Sequence, residues 1–393
     1  MAKQLTPEER VDLEKRIAAK ALEIRRMPLF RDAALHEAAE EGGYTIVTDE
    51  YIETNSDGTQ FVSQASESQQ NSESVIFYAE KGDWANIHKI VVRPPITQPP
   101  DGSPTPPPYP PKDTGKLALM GLHTSADDTI SDEEFLLFNS LRPPLIKVLS
   151  NLNKGHLATL AREHPKATFI IRAFVSIHNR VVTSREFFNW TINDVRDCIK
   201  AIGPNRIKII ELHNEPNLVQ EGAKWSWCDW NQWERWAFAL LQDYRAALPG
   251  FPFMYPGLSP GNEIEGVRQH AMHYLQRNSR LINEMAHLGI HLYWNPDGPG
   301  TKEPLAYLDK VIQMYPNKPI WVTEASIPYD MDNEARARAY IGFWHELQLR
   351  KSVKGITYFC ASASNRDFRH ETWVGKGLVR YMKKIYGGTL PWA

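Results

Sequence analysis

A chain of 393 residues with a formal net charge of -2 can bury a large core, as one large domain or as a large one with a small companion. The balanced charge, without a Lys/Arg block, gives no reason to expect nucleic acid or another polyanion as partner. Cys198, Cys228 and Cys360 lie far apart, which argues against a disulfide framework or a metal-ligand spacing, and no apolar run approaches membrane-spanning length.

The N-terminus turns charged and helical in pattern where a signal peptide would carry its apolar stretch, so the expected location is cytoplasmic, with export by another route left open. From Thr6 to Ala39, the spacing of Leu13, Ile17, Ala21 and Ile24 predicts one or two helices. Short strands follow at Tyr44-Val47, Thr59-Gln64 and Val75-Ala79, with Ile90-Val92 as an edge strand, separated by turn-forming stretches. Residues 1–93 are therefore expected to form a small α+β module. A sugar-binding, partner-binding or oligomerisation role stays open for it. Residues 94–114 are a proline-rich linker, since such a run favours an extended polyproline conformation and cannot join a sheet.

Beyond the linker, apolar runs alternate with helical patterns. Candidate strands are Leu117-Leu122, Leu145-Leu149, Thr168-Phe174, Ile207-Leu212, Phe253-Gly257, Ile290-Trp294, Ile320-Thr323 and Gly355-Phe359. Helical stretches fall between them, for example Asp229-Leu248, Glu263-Met285 and Asn333-Arg350. In the last of these Ala337, Tyr340, Trp344 and Leu347 form one stripe. Eight such units over 115–393 fit a (β/α)8 TIM barrel. A doubly wound open sheet is the competitor, because periodicity alone cannot show closure.

The fourth run ends in His213-Asn214-Glu215-Pro216-Asn217, where the proline stops the strand and leaves Glu215 at its carboxyl tip. The seventh ends in Thr323-Glu324-Ala325-Ser326. In a barrel these strands face each other across the mouth. Two carboxylates separated by roughly 5 Å suit retaining glycoside hydrolysis, one as nucleophile and one as acid/base.

These paired segments resemble those of clan A glycoside hydrolases, (β/α)8 enzymes with catalytic glutamates on strands four and seven. The resemblance runs from Lys116 to about Gly388. It implies that Glu215 is the acid/base, that Asn214 binds the sugar 2-hydroxyl, and that Glu324 is the nucleophile. His291-Leu292-Tyr293 on the sixth strand is similar to the His-x-Tyr of several of these families, whose aromatic hydroxyl lies near the nucleophile. Arg172 on the third strand is the cation expected to keep a neighbouring carboxylate ionised, although many relatives carry their Arg one strand earlier.

The eighth strand departs from the pattern, since Tyr358-Phe359-Cys360-Ala361-Ser362 lacks the Trp that floors the sugar subsite in many clan members. Trp294 or Trp373 is then expected to supply the stacking face. Five tryptophans lie between Trp225 and Trp236. Trp233, Trp236 and Leu240 recur at helical spacing and read as a buried stripe, while Trp225 and Trp227 precede the helix where sugar faces could stack on them. The loop Asn295-Gly300 is another possible rim. His123, at the tip of the first strand, and His178, after the third, are further possible pocket residues. Nothing has the form of a phosphate loop, a dinucleotide fingerprint or a metal cluster, so no cofactor is expected. The expected activity is hydrolysis of a β-glycosidic bond in an oligo- or polysaccharide by double displacement. The rival is a catalytically silent carbohydrate-binding or scaffold protein on the same barrel.

Overall fold

A computed structural model describes residues 44–54, 60–68, 74–80, 83–93, 118–178, 180–295 and 301–392, the first four segments as backbone only. The chain divides into two compact units, Met1–Thr105 and Pro106–Ala393. In the first, β1 (Tyr44–Thr54), β2 (Gln60–Ser68), β3 (Ser74–Glu80) and β4 (Asp83–Arg93) form an antiparallel sheet in sequence order. The helices expected before Ala39, the linker over 94–114 and most of the Asn295-Gly300 loop lie outside the described residues.

In the second unit eight parallel strands close into a barrel. They are β5 (Leu119–His123), β6 (Leu145–Leu149), β7 (Thr168–Arg172), β8 (Lys208–Glu211), β9 (Phe253–Tyr255), β10 (His287–Tyr293), β11 (Ile320–Ser326) and β12 (Val353–Tyr358). The pairing of β12 with β5 closes the ring, so the open sheet is excluded. Around it run α1 (Asp132–Leu141), α2 (Lys154–Glu163), α3 (Ser184–Ile202), α4 (Trp230–Ala247), α5 (Ala271–Arg277), α6 (Ser279–Glu284), α7 (Lys302–Met314), α8 (Asn333–Gln348) and α9 (Leu378–Ile385). None of these helices is long and apolar enough to cross a membrane.

The strands are buried on both faces, as a barrel ringed by helices requires. Side chains alternate between them. Ile146, Val148, Phe169, Ile171 and Ile210 point out into the large core shared with the helices, whereas Leu145, Ile170, Ile209, Met254 and Trp321 form a separate buried cluster that fills the interior. Two residues beyond Leu145, Ile170 and Ile209 on the same inward face stand Lys147, Arg172 and Glu211, all buried. The interior thus changes from apolar to charged on approaching the carboxyl end, where barrel enzymes carry their sites.

One expected helix does not form as drawn. Glu263-Met285 is instead a bridged loop followed by the short helices α5 and α6. Gly261 and Gly266 adopt positive φ there, which breaks the helical path before His270 caps α5. The stripes of α4 (Trp233, Trp236, Leu240) and α8 (Ala337, Tyr340, Trp344, Leu347) are buried as expected.

Candidate active site

Alternation alone would point Glu324 the wrong way. Val322 and Ala325 both face the outer core, yet two residues separate them instead of one. The pairing of β11 shifts register against both neighbours at this place, between Ile290 and His291 on one side and between Val322 and Ala325 on the other. The extra residue is what turns Glu324 inward, the re-aiming that a bulge performs beside active sites.

Once inside, Glu324 is held from several directions. Lys147 Nζ lies 3.0 Å from its Oε1 and the Arg172 guanidinium 3.6 Å from the same atom, while the Tyr293 hydroxyl donates to Oε2 at 2.8 Å. Burial by itself would push the Glu324 carboxyl up. The His291 ring, Lys147 and Arg172 outweigh it and hold the carboxyl well below its usual range. Burial, reinforced by the Glu324 charge, pushes the Tyr293 phenol far up, so it stays a neutral donor. Lys147 also pairs with Glu211 at 2.8 Å, and both side chains are fully buried.

Glu215 sits on the turn after β8 with φ 36, an unusual backbone for a residue with a Cβ. Its N–H donates to the Gly257 carbonyl at 2.9 Å, and His291 Nδ1 lies 2.8 Å from its Oε1. The turn is braced from behind: Trp227 Nε1 donates to the Pro216 carbonyl at 2.7 Å, and Nδ1 of buried His213 meets the Asn214 carbonyl at 2.7 Å. Burial lowers the His213 pKa to about 3, so the ring is a neutral brace packed among Phe187, Trp227, Trp233 and Trp236. Asn214 Nδ2 donates at 2.9 Å to Glu221, which also faces Arg172 at 3.4 Å. Burial raises the Glu221 carboxyl, with Arg172 and Asn214 pulling in the other direction.

These side chains open into a cleft of about 260 Å³ at the barrel mouth. One carboxylate oxygen each from Glu215 and Glu324, and a ring nitrogen of His291, lie within 4.8 Å of one another. The three atoms are close enough to hold one cation, although the Glu324 oxygens already take Lys147 and Tyr293.

Of the residues expected at the site, Glu215, Glu324, Asn214, Arg172, Tyr293 and His123 line the cleft, and His291 lies against both glutamates. Burial lowers the His123 pKa to about 3. With Nδ1 donating to the Thr124 carbonyl at 2.9 Å, its free Nε2 is an acceptor. The tryptophans lie away from the cleft. Trp227 is buried in the α4 cluster, Trp294 stacks on Phe343, and Trp373 stacks on Tyr340; none lines the cleft, because each ring is consumed by packing between the barrel and its helices. Trp225 is 43% exposed but is not a lining residue, and His178 is exposed on the surface. The apolar faces of the cleft are phenylalanines instead: Phe174, Phe359 and Phe368. Phe359 closes the eighth strand, where the missing Trp was noted.

Sequence reading also missed Lys147, Glu211 and Glu221. The signal for the first two was a charged residue inside an otherwise apolar strand run on two alternate strands, β6 and β8, whose inward residues share one interior layer. For Glu221, at the end of the short 3-10 turn Val219–Glu221, no comparable signal existed.

Comparison with curated proteins finds no match. Solved structures with a similar fold include a GH128 (subgroup II) endo-beta-1,3-glucanase from Sorangium cellulosum, at 14% identity and TM-score 0.44, covering 67% of this chain and 98% of that one. An endo-beta-1,4-glucanase from Xanthomonas axonopodis pv. citri is similar at 13% identity and TM-score 0.44, over 68% of this chain and 100% of that one. Beta-glucuronidase 2 of Bacteroides uniformis is similar at 13% identity and TM-score 0.48, over 77% of this chain and 35% of that one. Residues 193–376, which contain Glu215, His291, Tyr293 and Glu324, match the family model of the glycosyl hydrolase catalytic core, and they lie on the closed eight-stranded parallel barrel.

Proposed function

We propose that the protein is a retaining β-glycoside hydrolase acting on an oligo- or polysaccharide, with Glu324 as nucleophile and Glu215 as acid/base. The observation that supports this reading best is the close approach of the two carboxylates across the barrel mouth, with oxygens within 4.8 Å. Retaining enzymes need carboxyl groups about 5 to 5.5 Å apart, while inverting ones leave room for a water with roughly 6.5 to 9.5 Å.

The environments of the two groups suit this division of labour. Glu324 stays ionised beside Lys147 and Arg172 and receives the Tyr293 hydroxyl. An ionised, positioned carboxylate can attack the anomeric carbon. As that bond forms, the glycosidic C–O bond breaks and Glu215 gives its proton to the leaving oxygen. Glu215, now a carboxylate, takes a proton from water. The hydroxide equivalent attacks the same carbon and expels Glu324, which restores both groups. Tyr293 and Lys147 each bind one oxygen of Glu324 and so fix its plane for attack.

Glu324→Gln should lose turnover of aryl β-glycosides by at least about 10³-fold with the fold intact. For Glu324→Ala, azide should restore release of the aryl group and give the inverted glycosyl azide. Wild-type turnover in both variants, or oligosaccharide binding by the wild-type chain without product release, would overturn the assignment.

A further inference from the structure

The glycosidase reading leaves the sugar open, and the charges around the cleft bear on it. Four charged side chains line it: Glu215, Glu221, Glu324 and one cation, Arg172. Arg172 lies 3.4 Å from Glu221 and 3.6 Å from Glu324 through its two terminal nitrogens, with Nε unpartnered. Beneath it Lys147 is divided between Glu211 at 2.8 Å and Glu324 at 3.0 Å. Arg268, whose charge also acts on Glu215, gives its Nε to the Asn262 carbonyl and is not a lining residue. The cleft lining thus holds three carboxylates against one cation, and a ligand carboxylate would enter beside all three.

What the cleft does offer is hydrogen-bond acceptors. His123 Nε2 and Asn214 Oδ1 have no partner, and Glu221 uses only Oε1 toward Asn214 and Arg172, leaving Oε2 without a donor among the described residues. The Glu221 backbone is firmly built. Gly222 follows it at φ 114, and a Cβ there would come within 2.6 Å of the Trp227 ring. Unfilled acceptors in a cleft with three carboxylates to one cation fit a ligand that brings hydroxyl donors and no negative charge.

We propose that the cleft takes an uncharged, hydroxyl-rich sugar unit, that Glu221 selects it by accepting a hydroxyl and repelling carboxylates, and that uronic acids are excluded. The proposal rests on the glycosidase reading for its kinetic test but not for its binding test. With the full chain, kcat/KM is measured on matched aryl β-glycosides that differ only in a C6 hydroxymethyl or carboxylate, in the gluco and galacto series. Saturation-transfer NMR is run in parallel with neutral β-glucan and mannan oligosaccharides against oligouronates. The neutral member of any cleaved pair should be favoured by at least about 100-fold, and only neutral oligosaccharides should show transfer. Glu221→Gln, which keeps shape and acceptor but removes the charge, should narrow the neutral-to-acid ratio at least tenfold while raising KM for the neutral substrate more than it lowers kcat. Neutral binding without turnover would sink the glycosidase reading and leave this one standing. Uronides cleaved or bound as well as their neutral partners, a ratio unmoved in Glu221→Gln, or no binding of either class would overturn it.

Discussion

Lys147 is one of the groups that hold Glu324 ionised, and the one that also pairs with Glu211. A fully buried ammonium lies between two buried carboxylates, and removing it leaves two negative charges at the bottom of the cleft with Arg172 and the His291 ring to answer them. Lys147→Met should therefore raise the Glu324 pKa toward or above the ordinary carboxylate range. In the proposed mechanism Glu324 must be ionised to attack, so activity should be lost as pH falls through that value. In the wild type Glu324 is held far too low to set the acid limb of kcat/KM near pH 4. In the variant that limb should move up by about one unit or more. The substitution should also cost on the order of 3–5 kcal/mol of stability, and a second change, Glu211→Gln, should recover much of it by removing one stranded charge. A pH–rate profile unchanged between pH 4 and 8 would show that Lys147 does not act on Glu324. This residue was legible only in retrospect: one Lys in an apolar run looks like an edge position until a carboxylate is placed in the same interior layer.

At the scale of elements, the strands were readable because each is a short apolar run closed by turn-forming or polar residues, and the two glutamates because each closes such a run. What patterning could not supply was the phase of β11. Period-two alternation carried past Val322 would put Glu324 outside, and only the register shift puts it in the cleft. Trp227, Trp294 and Trp373 lie away from the cleft for a related reason, since the burial of a ring depends on how helices pack on the barrel and not on local sequence. The segment after β9 shows a third kind of detail. Gly257 donates its N–H to Glu211 at 3.3 Å and accepts from Glu215, and a Cβ on it would lie only 2.1 Å from the His291 ring. Gly257→Ala should push His291 out from between the two glutamates. A loss of about 100-fold in kcat is expected for that displacement, with about 1–3 kcal/mol of destabilisation from overpacking. Steady-state kinetics and thermal melts check both, and an unaltered kcat would mean the ring's placement is not needed.

Over the whole barrel, two buried carboxyl groups give stability opposite pH dependences. Glu324, depressed in the fold, contributes stability that is present above the unfolded value near 4.5 and lost as pH falls. Glu371, buried after β12 with one oxygen unpartnered, is pushed up to about 8 by burial, against a hydrogen bond from Ser326 and with the Glu324 charge adding to the rise. Its neutral form is favoured in the fold. Stability should therefore fall as pH rises from about 4.5 to 8, where the unfolded chain gives up a proton that the folded one keeps. Glu371→Gln should remove this penalty, stabilising the protein by about 2–4 kcal/mol at pH 8 and hardly at all at pH 4. Denaturant melts at the two pH values measure it; equal effects at both would mean that Glu371 is ionised in the fold.

The division of roles between Glu324 and Glu215 has one most direct measurement. A 2-deoxy-2-fluoro β-glycoside with an activated leaving group, of a sugar the enzyme cleaves, slows the second step and lets a glycosyl-enzyme accumulate. Intact mass should rise by one sugar unit, peptide mapping should place it on Glu324, and NMR of the natural reaction should show the β-anomer as first product. No adduct together with an α-anomeric first product, or an adduct on a carboxylate other than Glu324, would contradict it.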